Sequence, residues 1–116
     1  PFYFGMANTF YQAMALNTPV VTMPGIHMKS RHAFAGYKQM CIENAPIAES
    51  PEEYIEICKK LAFNKSYLNH IKSQINNKSR SQIFNDKTIY KEYLEFFRSS
   101  IYAAEKDTLL PRNWKA

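Results

Sequence analysis

Val20-Val21-Thr22-Met23, closed off by Pro19 in front and Pro24-Gly25 behind, is the stretch on which the reading of this chain turns. A short β-branched run bounded by turn residues predicts a buried parallel strand. Upstream of it, Asn17 suits the left-handed position that ends a helix, and Pro19 forbids that helix from continuing. The helix is predicted over residues 9–16, with Asn8 as its cap and Phe10, Ala13 and Met14 at helical spacing. Before it, Phe2-Tyr3-Phe4 reads as a buried strand that stops at Gly5. Strand, loop, helix, strand is the order of an α/β unit.

Downstream the pattern turns helical. Ser30 is the expected cap of a helix over residues 31–40, with Ala33, Phe34, Tyr37 and Met40 on its apolar side. Gly36 inside it is a weak point, costing about 1 kcal/mol relative to alanine. A short strand is expected around Pro46-Ile47-Ala48, inside a loop over residues 42–50. Ser50-Pro51-Glu52-Glu53 reads as a capping box with proline at the first helical position. The helix it opens places Tyr54, Ile55, Cys58, Leu61 and Ala62 on one face. Asn64 caps the next, which carries Leu68, Ile71 and Ile75. Residues 76–82 are polar and read as a loop. Asp86 then caps a long helix over residues 87–105, with Tyr90, Tyr93, Leu94, Phe97, Ile101 and Tyr102 on its apolar side. Its aromatic residues are expected to pack in a core rather than to stack on bases. Residues 106–116 are expected to form a loose tail.

At 116 residues the chain is long enough to bury a core of its own. It opens at Pro1 on apolar residues, and we read it as a segment of a longer protein. The net charge of +5 is carried with both signs interspersed, as in Glu52-Glu53 and Glu56 followed by Lys59-Lys60. Mixed charge of this kind describes solvated helix faces and argues against a nucleic-acid partner. Cys41 and Cys58 stand in no Cys-x-x-Cys or Cys/His spacing, so a reducing, cytoplasmic compartment is expected. No apolar run approaches the roughly 20 residues of a membrane span, and no membrane partner is expected.

The informative position for chemistry is the turn Gly5-Met6-Ala7-Asn8-Thr9. In open α/β sheets, ligands sit beyond the carboxyl ends of the strands. A helix start offers unpaired N–H groups and the positive end of a dipole, which suit a phosphate. Gly5 lets the backbone approach a ligand closely, Asn8 and Thr9 add side-chain donors, and Gln12 projects near the same mouth one turn on. The same spacing fits a simpler role in which Asn8 and Thr9 only cap the helix. His27, His32 and His70 lack metal-ligand spacing, so no metal site is predicted. No Ser-His-Asp, Cys-His or paired-carboxylate set is present, and no catalytic residue is assigned. Arg31 is expected to tie the loop after Gly25 in place.

The run Thr18-Pro19-Val20-Val21-Thr22-Met23-Pro24-Gly25, followed by Ser30-Arg31 and Ala33, resembles the catalytic region of O-GlcNAc transferases and their SPINDLY-type relatives. The resemblance extends through Ile47-Ala48, Glu53-Tyr54, Tyr67-Leu68, Ile83-Phe84-Asn85 and Lys87. The opening Pro1-Phe2-Tyr3-Phe4-Gly5 with Asn8 is more similar to adhesin-type N-glycosyltransferases. What this implies is an α/β, partial Rossmann-like fold, the second half of the C-terminal domain of a two-domain GT-B glycosyltransferase with a helix-rich C-terminal half. Residues 1–50 then belong to the nucleotide-sugar-binding part, 51–105 to the C-terminal helices of the same domain and 106–116 to the tail.

The resemblance implies donor-binding roles for Ala7, Asn8, Thr9 and Gln12. Ala7-Asn8-Thr9 falls where the family contacts the donor diphosphate, and Gln12 where an aspartate accepts from the ribose hydroxyls. Ala7 stands in place of the histidine of O-GlcNAc transferases. Gln12 keeps an acceptor oxygen but lacks the charge that strengthens such bonds. The implied function is an inverting, metal-independent transfer of GlcNAc or another hexose from a UDP-sugar to protein or peptide side chains. No cofactor beyond the donor is expected, and an isolated segment should be inactive. The competing reading is a helical protein-interaction module without catalysis.

Overall fold

The expected sheet does not form. The computed structural model describes residues 5–115; helices make up 63% of it, and no strand or sheet exists among the described residues. The α/β, Rossmann-like fold is therefore corrected to a helical one. The proposed strand at residues 2–4 lies outside the described residues.

The local reason is visible at Val20–Met23. Proline on each side removes two ladder donors. The backbone N–H of Val20 donates to the Tyr37 hydroxyl at 2.9 Å, and that hydroxyl donates back to the Val20 carbonyl at 2.9 Å. Within the run, Thr22 is the residue that pairs. It makes one parallel bridge with Ile47, in which Thr22 N–H donates to Pro46 O at 3.0 Å and Ala48 N–H to Thr22 O at 2.8 Å. The N–H of Ile47 turns back to Ala45 O at 2.7 Å. The two extended segments are real but share a single rung.

The elements run α1 (Asn8–Ala15), a 3₁₀ turn (Met28–Ser30), α2 (His32–Gln39), α3 (Pro51–Phe63), α4 (Lys65–Ser79), a π-helical turn (Arg80–Phe84) and α5 (Thr88–Glu105). The chain divides into two compact units, Pro1–Asn85 and Asp86–Ala116.

In the first unit, α1 ends as its sequence predicts. Asn17 adopts φ 54°, and the N–H groups of Asn17 and Thr18 close on Met14 O at 3.1 Å and Ala13 O at 2.8 Å. This is the paired closure of a left-handed helix end. The core gathers Phe10, Met14, Ala33, Tyr37, Met40, Ile42, Ile71 and Ile75. Each large member contributes about 1.5–3 kcal/mol by leaving water. Phe10 is fully buried and meets Tyr11 and Tyr37 edge-on at 5.5 and 5.2 Å. Gly36 is no weak point. A Cβ there would fall 2.2 Å from Phe10 Cε1, so the missing side chain is the space the ring occupies.

The cap at Ser50 forms, with Glu53 N–H donating to Ser50 Oγ at 3.1 Å; the Glu53 carboxylate reaches back to Glu49 N–H at 2.7 Å. The inner face of α3 is Tyr54, Ile57, Cys58 and Leu61, all half-buried, while Ile55 and Ala62 face outward. Asn64 caps α4 through Tyr67 N–H at 2.9 Å. Residues 76–79 continue α4 instead of looping, because Ile71, Ile75 and Ser79 form one buried row while Asn76 and Asn77 are exposed. The π turn then meets the end of α2, where the Gln39 amide donates to Gln82 O at 2.6 Å.

The second unit is built on α5. Asp86 accepts from the N–H and hydroxyl of Thr88 at 2.9 and 2.6 Å, but the N-cap is Lys87 and α5 begins at Thr88, one residue later than expected. Its apolar face does not enter a core: Tyr90, Tyr93, Leu94, Phe97, Ile101 and Tyr102 are all exposed. The aromatic rings associate along the helix, Tyr93 stacking on Phe97 at 6.2 Å and Phe96 meeting Trp114 edge-on at 5.6 Å.

Candidate functional site

Phe10 and Met14 fix which way α1 faces. With both buried, Asn8, Thr9 and Gln12 are left exposed on the other side. Asn8 and Gln12 are four residues apart and Thr9 and Gln12 three, so the three polar side chains share one patch of helix surface. The structure thus brings these expected residues together.

Asn8 is not the cap of this helix. The N-cap is Ala7, and no side chain hydrogen-bonds to the first turn. Alanine has no side-chain oxygen to offer an amide, its backbone carbonyl accepting from Phe10 N–H at 3.0 Å, and the first turn contains no acidic residue. The positive end of the helix dipole is therefore balanced by neither a cap nor a carboxylate. Asn8 is the first helical residue, and the simpler capping role of Asn8 and Thr9 is absent here.

A second segment holds this mouth from behind. Gly5 is buried, and its N–H donates to Lys29 O at 2.9 Å. Its Cα lies against the backbone of Ser30, where a Cβ would stand 3.0 Å from the carbonyl oxygen. The close approach that glycine allows is thus to the protein's own backbone.

The loop carrying Lys29 and Ser30 is itself tied down. Gly25 N–H donates to Ser30 Oγ at 3.0 Å, and that hydroxyl donates to His27 O at 2.7 Å. Arg31 Nη1 donates to Gly25 O at 2.8 Å, and its guanidinium lies 4.5 Å above the Phe34 ring. Arg31 ties the loop as its position suggested, while Ser30, expected to cap α2, serves inside the loop. The tip stays outside, with Ile26 and Met28 exposed at 90% and 79%. Further along, Tyr37 anchors Val20 through the paired bonds given above. Burial pushes the Tyr37 hydroxyl well above the usual tyrosine range, so it stays protonated and both donates and accepts.

Sequence reasoning anticipated the role of Arg31 in tying the loop after Gly25. It missed the contact of Gly5 with Lys29 and Ser30, for which sequence spacing carries no signal. Of the histidines, His27 sits at the exposed loop tip, His32 opens α2, and His70 Nε2 lies 3.0 Å from the Gln74 amide. No metal-holding group of His, Cys, Asp and Glu occurs among the described residues. Both cysteines carry free thiols. No described helix is long and apolar enough to cross a membrane.

The model of glycosyl transferase family 41 matches residues 6–94, well over half of the chain. The matched region contains the α1 mouth, the Gly25–Arg31 loop and the helices through the first part of α5. Searches of curated proteins and of solved structures found no match.

Proposed function

The chain belongs to glycosyl transferase family 41, and on that premise we propose that its α1 mouth receives the diphosphate of a UDP-sugar. The sugar, GlcNAc or another hexose, passes to a protein or peptide side chain. The observation that carries this reading is the uncapped first turn of α1, with no side-chain partner and no carboxylate, inside the matched region.

The chemistry follows from charge. As the glycosidic bond breaks, negative charge grows on the leaving diphosphate. Fixed amide dipoles aimed at that charge lower the barrier without having to reorganise. Asn8 and Thr9 add side-chain donors at the same turn, and the Gln12 amide oxygen accepts from a ribose hydroxyl one turn along. The transfer proposed is inverting and relies on amides and basic groups, without a divalent metal, to hold the diphosphate. The free thiols of Cys41 and Cys58 fit a reducing, cytoplasmic setting. A second reading, an interaction module without catalysis, draws on the exposed aromatic face of α5.

Titration of UDP into ¹⁵N-labelled protein separates the two. The donor reading expects the Asn8 and Thr9 amides to shift; a saturating titration that leaves them unmoved favours the interaction module. Gln12→Asp sharpens the test. A carboxylate accepts more strongly than an amide oxygen, so UDP should bind about three- to tenfold more tightly. Unchanged or weaker affinity removes Gln12 from the ribose position.

A further inference from the structure

The loop that ends in Arg31 does more than connect Val20–Met23 to α2. We propose that Arg31 and Ser30 are positioning residues for the donor site: they set where the first turn of α1 points without touching the donor. This rests on the donor reading above.

The argument is a chain of contacts. Phe34 supports the Arg31 guanidinium from below at 4.5 Å. The guanidinium fixes the Gly25 carbonyl at 2.8 Å, and the Ser30 hydroxyl fixes the Gly25 N–H at 3.0 Å. Gly25 is thus held on both of its peptide groups. The same hydroxyl holds His27 O at 2.7 Å, so the six-residue excursion from Gly25 through Ser30 is closed at its base. The backbone at that base then receives Gly5, through the Lys29 carbonyl at 2.9 Å and the close approach to Ser30. Two residues after Gly5 stands Ala7, the N-cap of α1.

The local hydrogen bond at the start of α1 runs from Phe10 N–H to Ala7 O at 3.0 Å. There is no side-chain cap, and Ala7 has nothing with which to make one. The far end of the helix is secured by Asn17 and Met14, while Phe10, fully buried in the first turn, fixes which side of the helix faces the core. Phe10 sets the face of the first turn, and the backbone that leads into it from Gly5 is held by the loop. A displacement of the order of 1 Å in such a group is enough to cost a large factor in a preorganised site.

Three variants test this, read in two ways: UDP affinity by calorimetry, and the Asn8 and Thr9 amide signals of the ligand-free protein. Arg31→Met keeps the length of the side chain and its contact with Phe34 but loses the bond to Gly25. Ser30→Ala removes the hydroxyl and little else. Arg31→Lys retains both a donor long enough to reach Gly25 O and a cation over the ring. Arg31→Met and Ser30→Ala should each weaken UDP binding about tenfold, the scale of one charge-assisted or buried hydrogen bond. Both should move the Asn8 and Thr9 amides in the free protein while the Phe10 and Tyr37 ring signals stay in place. Arg31→Lys should recover most of the affinity.

If Arg31→Met weakens UDP without moving those amides in the free protein, Arg31 touches the donor itself and the positioning role is wrong. The same holds if Arg31→Lys is as damaging as Arg31→Met. If both substitutions leave amides and affinity unchanged, the loop does not set the mouth. The unsubstituted protein failing to bind UDP would instead overturn the donor reading, and the free-protein amide shifts would still report whether the loop governs α1.

Discussion

Two amphipathic helices of this chain meet different fates. On α1, the aromatic side is sealed: Phe10 is 0% exposed and Met14 1%. On α5, a longer helix with a wider aromatic side, Phe97 is 56% exposed and Ile101 61%. Both show the 3.6-residue period, and both were expected to face a core. The difference lies in what stands opposite. Opposite α1 are Gly36, which leaves room for a ring, Tyr37, which meets that ring edge-on, and Ile71 and Ile75 of α4. For α5, the aromatic partners are neighbours on the same helix and Trp114 of the same unit. Periodicity identifies the face that gains from leaving water; it does not supply the surface that covers it.

The largest effect that can break this contrast is expected at Phe10. Phe10→Ala empties the centre of the core and should lower stability by about 3–5 kcal/mol, the usual cost of removing a buried ring. Urea unfolding followed by far-UV circular dichroism measures it. A loss below about 1.5 kcal/mol would mean that the α1 side is not packed as described.

Gly36→Ala probes the same contact from the other partner and has the smaller expected effect. Helix propensity alone favours alanine by about 1 kcal/mol. Overpacking against a ring carbon 2.2 Å from the new Cβ opposes it with about 1–3 kcal/mol. At a contact this short the second term should win, giving a net loss of up to about 2 kcal/mol, the balance of these two ranges. Adding Phe10→Leu should return part of that loss, since the two sites share one space. A stabilised Gly36→Ala protein would place the ring elsewhere.

These cases show what the sequence made legible. The caps at Ser50 and Asn64 and the left-handed Asn17 were readable because each is decided within a few residues of itself. The start of α1 was partly readable: Asn8, Thr9 and Gln12 do share an exposed patch, but the cap moved to Ala7, and nothing at Ala7 announces that. The sheet was misread because the fate of Val20 is decided by the Tyr37 hydroxyl, 17 residues away. A β-branched run states a preference for extended backbone. Whether it finds a ladder depends on distant donors and acceptors, and here a side chain takes them. Gly36 was misread for a similar reason, since its local cost is offset by a ring 26 positions earlier. At residues 76–79, polar composition was taken for a loop when it marked the outer face of a continuing helix.

The smallest predicted effect is the most direct test of the contrast. Phe97→Ala on α5 removes a ring as large as that of Phe10, from the same kind of helix face. What it loses is modest. The stacking of Tyr93 on Phe97, one turn apart, is a pair of the type worth about 0.2–0.5 kcal/mol on a helix surface, and an exposed ring gains little from burial. Alanine also forms helix better than phenylalanine by about 0.5 kcal/mol. The two terms nearly cancel, and stability of the second unit should change by less than about 0.5 kcal/mol. Trp114, the chain's single tryptophan, lies against Phe96 in this unit, so its fluorescence during urea unfolding reports the α5 region and not α1. A loss above about 2 kcal/mol would show that the α5 face is covered in solution. The two helices would then differ in their partners and not in whether they have one.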